Sequence, residues 1–287
     1  MKNITRNLLA SLAALFCLNI NIHAQTYQWA FNIGPGGSDI AQSIAVDGSG
    51  NVYVAGNFGG TADFDPGAGT ANFTSAGSFD IFFAKYSSSG ALIWAKTIGG
   101  SAQEGCYRII VDAAGDVYIA GFYNGTVDFD PNAGIVNLSG SGQEDGFFAK
   151  YTPAGNIVWA KKLGGTNNDF ARSIAVDNTG VVYVTGHFQG TVDFDPGAGV
   201  QNLISAGGAD VFIGKYDVNG NYIWAVRIGQ SSYDLGHDIV IDGSGNCYVS
   251  GIFYGNVDFD PGPGTANLSS LGPSDDIFLA AYSTTGT

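Results

Sequence analysis

Apolar residues along this chain come in short bursts rather than at a helical period. SIAVD (43–47), NVYVAG (51–56), DIFFAKY (80–86) and ALIWAKTI (91–98) are rich in β-branched and aromatic residues, the composition of strands. No segment sustains a helical spacing of apolar positions, so an all-β protein is expected. The first two bursts are joined by DGSGN, and in later copies by DAAGD, DNTGV and DGSGN. There Asp can accept backbone N–H bonds, and Gly50, Gly115, Gly180 or Gly245 can supply a positive φ. The last two bursts are joined by SSSG, TPAG or DVNG, with Pro153 fixing φ in one turn. Both junctions predict tight hairpins, hence four antiparallel strands per unit, with a longer insert between the second and third.

The unit is repeated. Trp29, Trp94, Trp159 and Trp224 stand 65 residues apart, each followed by Ala and, four residues on, by Ile or Leu. The insert keeps the same period, with DFDPGAG at 63, DFDPNAG at 128, DFDPGAG at 193 and DFDPGPG at 258. One extra residue late in the fourth unit puts Tyr282 out of phase with Tyr86, Tyr151 and Tyr216. A sheet of four strands that is apolar on both faces must lean on its neighbours, and the radial solution is a β-propeller. Past residue 24 the chain opens with YQWAFNIG, a lone fourth strand, and reaches Thr287 just after a third strand. The expectation is a four-bladed β-propeller of four-stranded blades, its ring closed by the N-terminal strand completing the last blade. A fragment of a larger ring is the rival.

Residues 1–24 read as a signal peptide. Lys2 and Arg6 precede the apolar run from Leu8 to Ile20, and Ile22-His23-Ala24 offers a cleavage site before Gln25. The run is too short to span a bilayer, and Phe16 before Cys17 speaks against lipid anchoring. The propeller then occupies residues 25–287, exported to the periplasm, the cell surface or the medium. Without Lys2 and Arg6, nine basic residues face 25 acidic ones, a balance of −16. That excludes nucleic acid as a partner and favours a monomeric, uninserted chain. Of the acids 23 are Asp and two, Glu104 and Glu144, are Glu, a bias toward turns over helices.

The strings W-A-x-x-I-G-G, D-x-x-x-S-I-A-V-D-x-x-G-N-V-Y-V-A-G and D-I-F-F-A-K-Y-x-x-x-G-x-x-x-W resemble the bacterial β-propeller repeat family called SBBP. The likeness covers the whole chain after the signal and implies a propeller of the kind found in exported and cell-surface, bacteroidete-like proteins. It implies little about chemistry. The step from Gly90 to Trp94 and from Gly220 to Trp224 also resembles the tryptophan-docking motif of quinoprotein propellers. That resemblance implies a blade-locking role for Trp29, Trp94, Trp159 and Trp224, with no quinone site beside it.

Chemistry-bearing motifs are scarce. G-x-S-x-G, H-E-x-x-H, C-x-x-C and G-x-x-x-x-G-K do not occur; His187 and His237 fall at unmatched repeat positions, and neither catalysis nor a cofactor is expected. Cys106 and Cys247, also unmatched, read as buried thiols. Acids recur at five positions per unit: Asp39, Glu104, Asp169 and Asp234; Asp47, Asp112, Asp177 and Asp242; Asp80, Asp145, Asp210 and Asp276; and both acids of DFDP. Those last, Asp63 and Asp65, Asp128 and Asp130, Asp193 and Asp195, Asp258 and Asp260, admit two readings. Carboxylates at i and i+2 of an extended segment point the same way and could hold calcium. Alternatively Phe64, Phe129, Phe194 and Phe259 plug apolar surface while the acids cap the turn that proline imposes. Two such charges about 7 Å apart in water repel by only roughly 0.6 kcal/mol, so no cation is required and the turn is the preferred reading. Function is expected to be binding or scaffolding of an extracellular protein or glycan through the inserts. Calcium-dependent glycan binding and an enzyme acting on extracellular polysaccharide are the alternatives.

Overall fold

The structure, a computed structural model, describes residues 26–34, 38–272 and 274–286. The expected signal segment 1–24 lies outside the described residues. The chain divides into a short N-terminal unit, Met1–Ala30, and a large one, Phe31–Thr287, which holds every described strand. Blade 1 contains β1 (Ile40–Val46), β2 (Val52–Phe58), β3 (Thr61–Asp63), β4 (Asn72–Thr74), β5 (Asp80–Tyr86) and β6 (Leu92–Ile98). Blade 2 repeats this with β7 (Gly105–Val111), β8 (Val117–Tyr123), β9 (Thr126–Asp128), β10 (Asn137–Ser139), β11 (Asp145–Tyr151) and β12 (Ile157–Leu163). Blade 3 has β13 (Phe170–Val176), β14 (Val182–Phe188), β15 (Thr191–Asp193), β16 (Asn202–Ile204), β17 (Asp210–Tyr216) and β18 (Tyr222–Ile228). Blade 4 has β19 (Leu235–Ile241), β20 (Cys247–Phe253), β21 (Asn256–Asp258), β22 (Asn267–Ser269) and β23 (Asp276–Tyr282).

The main sheets run β1-β2-β5-β6, β7-β8-β11-β12, β13-β14-β17-β18 and β19-β20-β23, and each insert folds into a two-stranded ribbon of its own. Neighbouring strands pair antiparallel throughout. The turn acids work as their sequence suggests: Asp47 Oδ1 accepts the Ser49 and Asn51 N–H groups at 2.9 Å, and Gly50 takes φ 80°. Among the described residues no helix is long and apolar enough to cross a membrane.

Blades are held by what lies between them. Tyr53, Ile81, Phe83 and Ile98 of blade 1 share one buried cluster with Ile109, Ile119, Phe147 and Tyr151 of blade 2. Blades 2 and 3 join through Tyr118, Phe148, Leu163, Ile174 and Phe212, and blades 3 and 4 through Tyr183, Ile213, Ile228, Ile239 and Phe278. Each large side chain so buried contributes about 1.5–3 kcal/mol. Indole groups add a directed bond across the same joints. Trp94 Nε1–H donates to the Pro153 carbonyl, Trp159 to that of Val218 and Trp224 to that of Thr284, each at 3.1 Å. The fourth of this series, Trp29, belongs to the short N-terminal unit.

The two ends of the array differ from its middle. Ile44 is 66 % exposed, whereas Ile109, Ile174 and Ile239 at the same repeat position are 1 % exposed. Leu279 is 75 % exposed where Phe83, Phe148 and Ile213 are fully buried. The fourth sheet has three strands, and the expected fourth is not among those paired, because residues 26–34 form no strand. Ile33 packs on the blade 1 cluster of Phe58, Phe64 and Phe82, and Phe31 lies 4.9 Å from the Tyr86 ring.

A second set of acids caps the loops that lead from one blade to the next. Glu104 is fully buried, with Oε2 accepting the Gly100 N–H at 2.9 Å and Oε1 unpartnered. Burial, with help from Asp80, pushes its pKa up to about 7. Because the folded value lies above the unfolded one near 4.5, the folded state gains from Glu104 only below that value and loses the gain as pH rises through 7. Glu104→Gln should therefore raise Tm at pH 8 by roughly 3 °C, with the difference shrinking toward pH 5; thermal denaturation of both proteins across that range checks it.

Candidate functional site

The DFDP phrases form structural plugs. Phe64, Phe129 and Phe194 are fully buried and Phe259 nearly so. Each backbone carbonyl accepts the hydroxyl of the tyrosine that ends the third main strand: Tyr86, Tyr151, Tyr216 and Tyr282 donate at 3.0 to 3.2 Å. The first acid of each phrase closes the loop. Asp63 Oδ1 accepts the Asp65 N–H at 3.0 Å and the Ala71 N–H at 2.8 Å, and these bonds lower its pKa. Asp128, Asp193 and Asp258 repeat that geometry. The second acid folds over the turn: Asp65, Asp195 and Asp260 Oδ1 accept the N–H two residues on, and Asp130 bonds Asn132 in the same way. The Asp195 carboxylate folds over the glycine that ends the phrase: a Cβ at Gly199 would stand 2.0 Å from it, and the carboxylate would have to shift. These carboxylates thus spend acceptor capacity on the backbone, and among the described residues no three His, Cys, Asp or Glu groups converge as metal ligands. At the base of the first ribbon Thr61 shares a 2.8 Å hydroxyl contact with Thr74. Cys106 and Cys247 are free, buried thiols.

A different set of residues has the makings of a site. The strands β1, β7, β13 and β19 meet one another in succession along the inner side of the blades. Each carries one β-bulge against its partner, at the residue between Ala41 and Ser43, Cys106 and Arg108, Ala171 and Ser173, and Gly236 and Asp238. A bulge leaves its extra residue out of the ladder and re-aims the side chain. The four bulged residues are Gln42, Tyr107, Arg172 and His237. These four are all different, and three of them line one open depression of about 260 Å³.

Arg172 dominates this cavity. Its guanidinium carbon lies 4.3 Å over the Tyr107 ring centre and 5.5 Å from that of Phe170, a cation–π seat that fixes the group without neutralising it. Its Nε has no hydrogen-bond partner. The other described arginines are paired, Arg108 with Asp238 at 3.8 Å and Arg227 with Asp210 at 2.7 Å; among the described residues Arg172 has no ion-pair partner. Burial raises the pKa of Glu144, and the nearby charge of Arg172 offsets part of that rise. Behind the rim, Phe122 meets Phe170 edge-on at 5.3 Å and His187 lies tilted against Phe170 at 4.9 Å. Burial, then the charges of Arg172 and His237, push the His187 pKa down to about 3, which keeps that ring neutral. Burial and Arg172 likewise hold His237 below its ordinary value.

Sequence reasoning passed over this cluster because Gln, Tyr, Arg and His match no motif. A partial signal was available in the alignment of the four repeats, as one of the positions where the copies differ in chemistry.

Blades of this build, with a repeated sheet and a ribbon insert, define a repeat β-propeller. The chain carries the SBBP β-propeller repeat, whose pattern matches residues 31–57 and 158–187. An uncharacterized WD repeat-containing protein of Acanthamoeba polyphaga mimivirus, L264, is 29% identical over 226 residues, covering 70% of this chain and 16% of its own length. The regulatory protein FlaEY of Caulobacter vibrioides is 28% identical over 176 residues, 58% of this chain and 18% of its own. The chain therefore spans less than a fifth of either relative. A solved protein of unknown function from Bacteroides caccae superposes with a TM-score of 0.36 at 9% identity, over 74% of this chain and 53% of that one.

The hydrogen bonds to Asp63 and its equivalents lead to an expected outcome for metal removal. With the carboxylates already held by backbone N–H groups, EDTA should change Tm by no more than about 1 °C. A drop of about 10 °C that calcium reverses would instead assign the DFDP loops to calcium.

Proposed function

We propose that this chain is an exported binding or scaffold module whose repeated blades hold a small set of unequal side chains in a fixed frame. The observation that carries the reading is the bulge position. Gln42, Tyr107, Arg172 and His237 occupy equivalent places on β1, β7, β13 and β19, so four rigid strands present four chemistries side by side. Rigid elements position ligand-contacting groups better than loops do. The names of the two relatives, a WD repeat-containing protein and a regulatory protein, agree with a role in binding.

The ribbon inserts offer a second contact surface, with Ile135, Val200 and Ile204 exposed there, and fourfold repetition would give it multivalency. Ring closure belongs to the same reading. Among the described strands none is paired with the outer edge of β23, and Ile33 packs on blade 1 as Ile98 packs on blade 2. Catalysis is not part of the proposal, since the residues at the cavity offer donors and no paired nucleophile and base.

The test is to present the full chain to a panel of extracellular glycans and envelope proteins while following polysaccharide hydrolysis in the same wells. Saturable binding without turnover is the expected result. Turnover of any polysaccharide would replace the binding module with an enzyme.

A further inference from the structure

The cavity between the inner strands limits what can sit in it. Three side chains from three blades converge there, Tyr107 on β7, Arg172 on β13 and His237 on β19, and each can donate a hydrogen bond. Arg172 carries the single formal positive charge among them, and its planar fork matches a carboxylate in two parallel bonds. The space, about 260 Å³, is open to solvent, so the three side chains rather than enclosing walls select what binds.

Charge selects further. The chain is strongly acidic, at −14, and Glu144 lies close enough to interact with both Tyr107 and Arg172. One guanidinium against that background favours a monoanion over a doubly charged phosphate. The position is also held from below: Arg108 of β7 reaches Asp238 of β19 at 3.8 Å, and Ser173 of β13 donates to the same carboxylate. The three blades that supply the donors are therefore tied together one residue further along.

We propose that Tyr107, Arg172 and His237 bind a carboxylate carried on a small hydroxylated ring, the chemistry of a uronic acid. Arg172 takes the carboxylate, while the Tyr107 hydroxyl and a His237 ring nitrogen meet ring hydroxyls. The inference rests on the binding-module reading and gives that module a ligand class.

The experiment is a set of titrations of the full chain with D-glucuronate, D-glucose, N-acetylglycine and inorganic phosphate, followed by calorimetry or by amide chemical shifts. Glucuronate should bind saturably and glucose about tenfold more weakly or less, the difference expected of one charge-assisted pair. Arg172→Gln should lose about tenfold in glucuronate affinity with an unchanged circular dichroism spectrum, and Glu144→Gln should gain about threefold by removing a like charge. If Arg172→Gln does not fold, His237→Ala at its exposed position serves instead, with an expected loss of about fivefold. No saturable binding of glucuronate by the native chain, equal binding by these variants, or tighter binding of phosphate or N-acetylglycine would each overturn the proposal. Binding of another member of the extracellular panel with none of glucuronate would overturn this ligand class and leave the binding module standing.

Discussion

Every sheet in this protein is apolar on both faces, and water can be kept from those faces only by the next sheet. Tyr53, Ile81 and Phe83 of blade 1 share their buried cluster with Ile109, Ile119 and Phe147 of blade 2. The same exchange is made twice more along the chain. The tryptophan bonds from Trp94, Trp159 and Trp224 to the following turn and the tyrosine bonds that hold each plug phenylalanine are the polar fittings of this stacking. They are modest singly, at about 1 kcal/mol each, and matter because they fix the angle and register at which apolar faces meet. At the two ends of the described array, Ile44 and Leu279 are exposed where their equivalents are buried.

Equal blades make a good frame and a poor site, since a ligand is recognised by unlike groups. The structure places one such set of unlike groups at the same point of each inner strand. A bulge at the same point of each inner strand lifts a single residue out of the ladder, where it no longer has to satisfy the repeat. Arg172 shows what that freedom permits. It is a cation seated on aromatic rings, with its charge unspent, in a chain that pairs most of its other cations with carboxylates.

The fold was legible because its determinants are local and repeated four times. The turn formed by Asp47 and Gly50, the strand DIFFAKY at 80–86 and the 65-residue spacing of the tryptophans each announce themselves, and β5 falls on residues 80–86. The role of DFDP was half legible: the plug and the cap follow from Phe beside Asp and Pro, but the hydroxyl bond from Tyr86 to the Phe64 carbonyl joins residues 22 apart and has no sequence signature. The cavity was not read at all. Tyr107, Arg172 and His237 are 65 residues apart and meet only because three sheets pack radially, and a bulge changes which face a side chain takes without leaving a mark in composition. Completion of the fourth blade by the N-terminal strand, expected from repeat phase, depends on a pairing between distant segments that phase alone does not determine.

The claim that stability resides between blades is tested most directly at Phe148. This side chain is fully buried at the joint of blades 2 and 3, 5.5 Å from Trp159 and 4.5 Å from Tyr216. Urea denaturation of Phe148→Ala should show a single cooperative transition with a loss of about 3–5 kcal/mol. A loss below about 1 kcal/mol, or a native chain whose blades unfold in separate steps, would contradict the account.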